Sequence, residues 1–125
     1  MNNLLACADL FLNPTLYEGS SLVTLEAMSQ GCAVVASRAG GIPDKVEEGR
    51  TGWLAEPGEA ASLAAGILRW WRCDEDTRAR VRRAAAARCR DDFDWPVCVD
   101  RYLEAIRRLL RHPDSTAAAG GSTPC

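Results

Sequence analysis

Long apolar runs, histidine, lysine and closely spaced cysteine pairs are scarce or missing in this 125-residue chain. No stretch approaches the roughly eighteen apolar residues of a membrane-spanning helix, so the sequence predicts none. The first nine residues lack a basic region and a long apolar region, and we expect no signal peptide. The single histidine is too few for the common zinc sites. The net charge of −2 argues against a dedicated nucleic-acid binder.

The six cysteines form no C-x-x-C pair, although their even number admits a disulfide framework as an alternative. Cys32 lies in an apolar run, and Cys89 and Cys98 lie inside helical patterns. These positions are typical of packed thiols rather than of a small disulfide scaffold. We therefore expect reduced cysteines and a cytoplasmic protein.

The composition, 47% hydrophobic and 26% charged, is that of an ordinary globular domain. Residues 1–111 carry regular hydrophobic patterns and predict one domain. Residues 112–125 are small, polar and interrupted by glycine and proline, and predict a disordered tail.

Strand and helix patterns alternate along the first half of the chain. Uniformly apolar runs predict buried strands at 8–12, 33–37 and 51–55. The pattern predicts helices at 3–8, 21–30, 43–48, 59–72, 75–90 and 95–111. This alternation indicates an α/β fold with a short parallel sheet flanked by helices, followed by C-terminal helices. Because the chain begins with the end of a helix, it resembles the second half of a doubly wound domain.

The loop after the first predicted strand is the most informative segment for chemistry. Glu18 lies in this loop, and Gly19, Ser20 and Ser21 lead directly into a helix, which Ser20 or Ser21 can cap. This order places free backbone N–H groups and the positive end of a helix dipole at the carboxyl edge of the sheet. Anions such as phosphates bind at this position in parallel sheets.

Glu26, on the second turn of that helix, adds a second carboxylate. Its apolar neighbours make a carboxylate there costly unless it is paired or functional. Together Glu18 and Glu26 can flank an anion site and accept hydrogen bonds from sugar hydroxyls. Glu48 and Glu56 have the same spacing, but no helix N-terminus is predicted beside them, and we assign that pair no function.

The complete string resembles the C-terminal, donor-binding part of GT-B-fold retaining glycosyltransferases, most closely glycosyltransferase family 4 (glycosyl transferases group 1). The resemblance covers about residues 5–108. It rests on the motifs Asn13-Pro14, Tyr17-Glu18-Gly19, Leu22-Val23, Leu25-Glu26-Ala27-Met28, Val34-Val35-Ala36-Ser37, Gly40-Gly41-Ile42-Pro43, Thr51-Gly52 and Phe93-Asp94-Trp95. The implied fold is the C-terminal half of a Rossmann-like GT-B domain, with residues 1–111 as a partial nucleotide-sugar-binding domain.

The resemblance also implies roles for individual residues. Glu18 would be the catalytic residue that contacts the hydroxyls of the donor sugar, and Glu26 would hold the ribose of the nucleotide. The backbone amides from Gly19 through Ser20, Ser21, Leu22 and Val23 would face the sugar and the diphosphate. No metal and no cofactor are implied, because the nucleotide diphosphate sugar is the donor substrate. Ser20-Ser21 departs from the Phe-Gly that is common in the family.

The family's other functional parts have no counterpart in this sequence. The basic residues that neutralise the diphosphate lie upstream in the family, and the acceptor site lies in a separate N-terminal domain. We therefore expect a donor half-site that transfers no sugar alone and needs a missing N-terminal acceptor domain or a partner subunit. The alternative is a non-catalytic subunit or gene fragment that offers a nucleotide-sugar-binding or docking surface. By resemblance the protein is cytoplasmic, with peripheral association at the inner membrane face as a further expectation.

Three further features favour structural interpretations over functional ones. Gly40-Gly41 is typical of a turn, with direct donor contact as the alternative. Trp70-Trp71 is typical of core and interface rather than of a sugar platform. The six arginines between Arg78 and Arg90 form no single stripe at helical spacing, which indicates a solvated face rather than a surface for nucleic acid or anionic lipid.

Overall fold

The computed structural model describes residues 2–111, so the predicted disordered tail at 112–125 lies outside the described residues. The elements follow the predicted order closely. They are α1 (Asn2–Cys7), β1 (Leu10–Asn13), α2 (Leu22–Ser29), β2 (Ala33–Ser37), β3 (Trp53–Ala55), α3 (Ala60–Arg72), α4 (Glu75–Asp92) and α5 (Trp95–Arg111). The described part of the chain divides into two compact units, residues 2–93 and 94–111.

The first unit is built on a parallel sheet in the order β1-β2-β3. Phe11 pairs with Val34, and Val35 pairs with Trp53. Every residue of β2 is buried, which explains why this strand is uniformly apolar instead of alternating. The α/β architecture predicted from the sequence is confirmed.

The sheet has a packed core on each face. Val34 and Ala36 of β2 point into a core shared with α2 and α4. Ala33 and Val35 point into the other core, where α3 packs so closely that a Cβ on Gly66 would lie 2.8 Å from a Val35 methyl. Parallel strands covered on both faces leave the strand ends and the connecting loops as the positions open to a ligand.

The two neighbouring tryptophans at the end of α3 have different environments. Trp70 is only 4% exposed, and its ring centroid lies 5.8 Å from that of Trp53. The guanidinium groups of Arg78 and Arg82 stack over Trp70 at 5.2 and 5.1 Å. Trp70 is therefore a core residue, as predicted, whereas Trp71 is 72% exposed.

The described cysteines are free thiols, at positions 7, 32, 73, 89 and 98. Burial raises the pKa of the Cys89 thiol to about 11 and also raises the pKa of Cys32. A thiol that stays protonated at neutral pH is a poor nucleophile and a poor metal ligand. These two residues act as packing groups.

Two loops meet at the carboxyl edge of the sheet: the β1–α2 loop (residues 14–21) and the β2–β3 loop (residues 38–52). Gly40 adopts a φ of +51°, and a Cβ at this position would overlap the carbonyl oxygen of Glu18. Gly41 donates a backbone hydrogen bond to the carbonyl of Gly19 at 3.0 Å. The two loops therefore touch main chain to main chain, which only a residue without a side chain permits here.

The predicted helix at 43–48 is wrong, because the β2–β3 loop makes only one turn there. The carbonyl of Ile42 accepts hydrogen bonds from the backbone of Lys45 and Val46 at 3.0 Å. The next amide, that of Glu47, donates to the Thr51 hydroxyl at 2.8 Å instead of continuing a helix. A contact within the loop thus replaces the helical ladder.

Arg88 of α4 binds the β2–β3 loop through several hydrogen bonds. Its guanidinium donates to the carbonyls of Asp44 and Lys45 at 2.7 and 2.8 Å and is paired with the Glu47 carboxylate. A second carboxylate, that of Asp92, lies 3.2 Å away. Five of the six arginines between Arg78 and Arg90 thus have identified partners within the protein: Arg78, Arg80, Arg82, Arg88 and Arg90.

The second unit contains α5. Its apolar residues recur at helical spacing, and the predicted bounds of 95–111 match those observed. None of the helices between residues 2 and 111 has the length and apolar character that crossing a bilayer requires.

We expect Arg88→Met to lower the free energy of unfolding by about 1.5–3 kcal/mol, because two loop carbonyls and the Glu47 carboxylate lose a charged donor. Urea denaturation measures the change. Arg90→Met is the matched control, since Arg90 is exposed on the same helix and its ion pair is with the adjacent Asp91. It should change stability by less than about 0.5 kcal/mol. Equal effects of the two substitutions would contradict the anchoring role of Arg88.

We expect Gly40→Ala to destabilise the protein by about 1–3 kcal/mol more than Gly49→Ala. Both glycines have positive φ, +51° and +72°, so both substitutions incur the same kind of backbone strain. A Cβ on Gly49 meets nothing within 4 Å, whereas one on Gly40 collides with the Glu18 carbonyl. The difference between their urea midpoints isolates that collision. If the two variants are equally stable, the loops can separate without cost.

Candidate functional site

The predicted site residues lie in the β1–α2 loop and on α2, at the carboxyl edge of the sheet. Glu18 is half-buried, Gly19 and Ser20 are exposed, and Ser21 is only 1% exposed. The order of strand, loop and helix that was predicted for this segment is confirmed. This edge is where ligands bind in open α/β sheets.

Ser21 directly precedes α2, but its side chain does not form the capping hydrogen bond that was predicted. Its hydroxyl instead lies 2.8 Å from that of Thr24 and accepts a hydrogen bond from the Asn13 side chain at 3.0 Å. The same Asn13 amide donates to Thr24 at 3.2 Å. Asn13, the last residue of β1, therefore fixes the start of α2 relative to the strand. This positioning role of Asn13 was not predicted from the sequence.

The backbone amides at the start of α2 remain available. Among residues 2–111, the N–H groups of Gly19, Ser20 and Ser21 donate to no other group of the protein. They lie at the positive end of the α2 dipole. A negatively charged ligand at this point would satisfy the amides and interact favourably with the dipole.

Gly40 and Gly41 contribute to the site as positioning residues. They were predicted to form a turn, and the structure adds that this turn packs directly on Glu18 and Gly19. The contact sets the path of the site loop through its main chain. A Gly-Gly pair in a loop predicts a tight bend, but its partner across the fold could not be read from the sequence.

Lys45 also lies beside the site, although it is not among the residues predicted from the sequence. Its side chain is only 5% exposed. The ammonium donates to the Ser20 hydroxyl at 3.1 Å and to the Gly41 carbonyl at 3.3 Å. Lys45 thus links the two loops with a hydrogen bond to each. The sequence held one signal that could have pointed to this residue, since Lys45 is the single lysine of an arginine-rich chain.

Glu18 and Glu26 both have unpaired carboxylates. Within the described part of the chain, neither makes a hydrogen bond or an ion pair through its side chain. Glu26 is exposed, so the expectation of a costly carboxylate in apolar surroundings is wrong. The reason is that α2 presents one open face, where Glu26 lies one turn after the 68%-exposed Leu22.

Both carboxylates of the equally spaced pair, Glu48 and Glu56, have partners within the protein. Glu48 accepts hydrogen bonds from the Leu54 amide at 2.7 Å and from Arg69 at 2.5 Å. Glu56 lies 3.5 Å from the Arg38 guanidinium. The premise that no helix begins near Glu56 is wrong, because α3 starts four residues later at Ala60. The absence of function is still expected, since salt bridges occupy both carboxylates.

The arrangement combines hydrogen-bond donors for an anion with acceptors for hydroxyl groups. The free amides and the helix dipole suit a phosphate group, and two unpaired carboxylates suit the hydroxyls of sugars. Among residues 2–111, no three His, Cys, Asp or Glu side chains come together as a metal-binding cluster. A ligand with both phosphate and sugar groups matches this set of donors and acceptors.

Comparison with known proteins agrees with this chemistry. The family model described as glycosyl transferases group 1 matches residues 1–72. The sulfoquinovosyl transferase SQD2 of Arabidopsis thaliana is 42% identical over 93 residues, which cover 72% of this chain and 18% of that protein.

Two solved structures show the same fold. Anabaena Alr3699/HepE, in complex with UDP, is 33% identical with a TM-score of 0.76, over 85% of this chain and 29% of that chain. The C-terminal domain of the glycosyl transferase group 1 family protein LpcC from Francisella tularensis is 25% identical with a TM-score of 0.63. That match covers 70% of this chain and 44% of that chain.

The chain spans between 18% and 44% of the length of these three proteins. The match to the family model covers more than half of the chain, and the fold is that of the C-terminal part of GT-B glycosyltransferases. The chain therefore belongs to the glycosyl transferases group 1 family.

Proposed function

We propose that this chain binds a nucleotide diphosphate sugar and forms the donor half of a glycosyltransferase. The complete enzyme would move the glycosyl group to a hydroxyl acceptor with retention of the anomeric configuration. The observation that carries the proposal is the pair of unpaired carboxylates, Glu18 and Glu26, on a loop and helix whose first amides are unsatisfied. The binding of UDP by the Anabaena relative supports the same class of ligand.

In the proposed complex, the donor lies across the start of α2. The amides from Gly19 to Val23 face the diphosphate and the sugar, and the dipole of α2 attracts the negative charge. Glu26, on the exposed face of α2, accepts hydrogen bonds from the ribose hydroxyls. Glu18 accepts hydrogen bonds from hydroxyls of the transferred sugar, which places it next to the reacting carbon.

Transfer requires stabilisation of the charge that develops on the leaving diphosphate. Preorganised amides and a helix N-terminus supply this without reorganisation during the reaction. We propose that no metal takes part. Further positive groups and the acceptor site would come from an N-terminal domain or a partner subunit.

A non-catalytic role for the same site is the second candidate. The chain spans 30% or less of the length of the curated relatives that it matches first, and a donor site alone could serve a partner as a binding or docking surface.

The cytoplasm, with peripheral association at the inner membrane face, is the proposed location. Biosynthesis of a polysaccharide or a glycolipid is the proposed process.

We expect Glu26→Ala to weaken nucleoside diphosphate binding about ten- to a hundredfold, because a charged acceptor for the ribose hydroxyls is lost. Titration calorimetry of the 125-residue chain with UDP, ADP and GDP measures the change on whichever nucleotide binds most tightly. Glu56→Ala should leave the affinity unchanged, since the carboxylate of Glu56 is paired with Arg38. Unchanged affinity in Glu26→Ala would remove the proposed ribose contact.

Glu18→Ala should lower the rate of transfer more than it lowers nucleotide affinity, because its proposed partner is the transferred sugar. The rate is measured with the chain complemented by an acceptor domain, and the affinity with nucleoside diphosphate. A variant that loses affinity but keeps its rate at saturating donor would place Glu18 against the nucleotide instead.

The 125-residue chain alone should show no glycosyl transfer, because the proposed acceptor site and part of the donor pocket lie outside it. Incubation with a panel of nucleotide sugars and hydroxyl acceptors, followed by mass spectrometry of the products, tests this. Turnover that disappears in Glu18→Ala would show that the chain is catalytically complete.

A further inference from the structure

Lys45 is a buried cation without a carboxylate partner. Its side chain is 5% exposed, and among residues 2–111 no Asp or Glu oxygen lies within 4.0 Å of the ammonium. Its partners, the Ser20 hydroxyl and the Gly41 carbonyl, are both neutral. Burying a charge is costly unless an opposite charge compensates it. The positive charge at Lys45 is thus available to interact with an anion.

Arg88 of α4, which binds the same loop, shows the contrast. Arg88 donates to the carbonyls of Asp44 and Lys45, as an anchor does, but it is also paired with the carboxylates of Glu47 and Asp92. Within the part of the chain that the structure describes, carboxylates therefore neutralise Arg88, and none compensates Lys45. If Lys45 only tied the two loops together, neutral groups could do so at lower desolvation cost.

Ser20 connects Lys45 with the open side of the site. Because the Ser20 oxygen accepts a hydrogen bond from the ammonium, its own O–H proton remains free to donate elsewhere. Ser20 is exposed, and its backbone N–H has no partner within the described residues. Both groups of Ser20 can thus donate to one anionic ligand, and the charge behind the hydroxyl strengthens such a bond.

We propose that Lys45 is a positioning residue for the donor diphosphate, acting through Ser20. The buried ammonium orients the Ser20 hydroxyl as a donor and supplies positive charge beneath the amides of Gly19 and Ser20. This inference rests on the proposed function, because it names the group that recognises the anionic part of the same donor. The expected ligand chemistry is a diphosphate, and a bare nucleoside should not sense the charge.

The test compares a nucleoside diphosphate with the corresponding nucleoside on the 125-residue chain. UDP, ADP and GDP are first titrated against the unmodified chain, and the tightest ligand is taken forward with its nucleoside. Lys45→Met keeps the length of the side chain and removes the charge. It should weaken diphosphate binding about three- to tenfold and leave nucleoside binding unchanged. Calorimetry measures the diphosphate, and NMR titration measures the weaker nucleoside.

Two further variants make the result specific. Arg50→Met removes a positive charge from the same loop, but Arg50 is exposed and paired with Glu47, and it should affect neither ligand. Ser20→Ala alters an exposed side chain, so it should fold even if Lys45→Met does not, and it should also weaken only the diphosphate. In the Lys45→Met background, Ser20→Ala should have a smaller effect, because the two residues act in series.

The outcomes separate this inference from the proposed function. If Lys45→Met and Ser20→Ala change both ligands equally, or change neither, Lys45 is a structural tie and the inference is wrong. In that case a loss of affinity in Glu26→Ala would still support the donor site. If the unmodified chain binds none of the three diphosphates, the proposed function and this inference both fall.

Discussion

The site depends on a contact between two stretches of main chain. Gly40 and Gly41 of the β2–β3 loop lie against the carbonyls of Glu18 and Gly19, at a separation that leaves no room for a side chain. The main-chain contact sets the path of the β1–α2 loop, and the side chains at positions 20 and 21 add to it. The Ser20 hydroxyl accepts a hydrogen bond from Lys45, and the Ser21 hydroxyl accepts one from Asn13.

Two cations support this contact from beneath, and they differ in electrostatics. Arg88 uses its planar, five-donor guanidinium to reach two carbonyls and two carboxylates at once. Lys45 places a compact charge between the two loops, and its partners among residues 2–111 are neutral. In a chain with fourteen arginines, the one lysine occupies the position between the two loops. Lys45 therefore helps to hold the two loops together and also leaves a positive charge next to the proposed ligand position.

Local pattern and long-range contact explain which predictions agree with the structure. The positions of the three strands and the bounds of the three long C-terminal helices follow from apolar patterns, which report burial directly, and they agree within two residues. The helix expected at 43–48 and the side-chain cap at Ser21 are wrong. In both cases a residue outside the predicted contact takes part in the hydrogen bond instead. The Glu47 amide donates to the Thr51 hydroxyl, and the Asn13 side chain donates to the Ser21 hydroxyl. No periodicity encodes such partners, and the same holds for the packing of Gly40 on Glu18.

Two pairs of glutamates with identical spacing show what makes a residue available to a ligand. Glu48 and Glu56 are engaged by Arg69, by the Leu54 amide and by Arg38, so their charge is already compensated within the protein. Glu18 and Glu26 have no such partner among the described residues, and neither do the amides of Gly19, Ser20 and Ser21. A ligand can gain hydrogen bonds only from groups that the fold leaves unpaired, because displacing an internal partner returns little free energy. Lys45 likewise has no oppositely charged partner among the described residues, but its own charge is positive. It therefore suits the anionic part of the proposed donor.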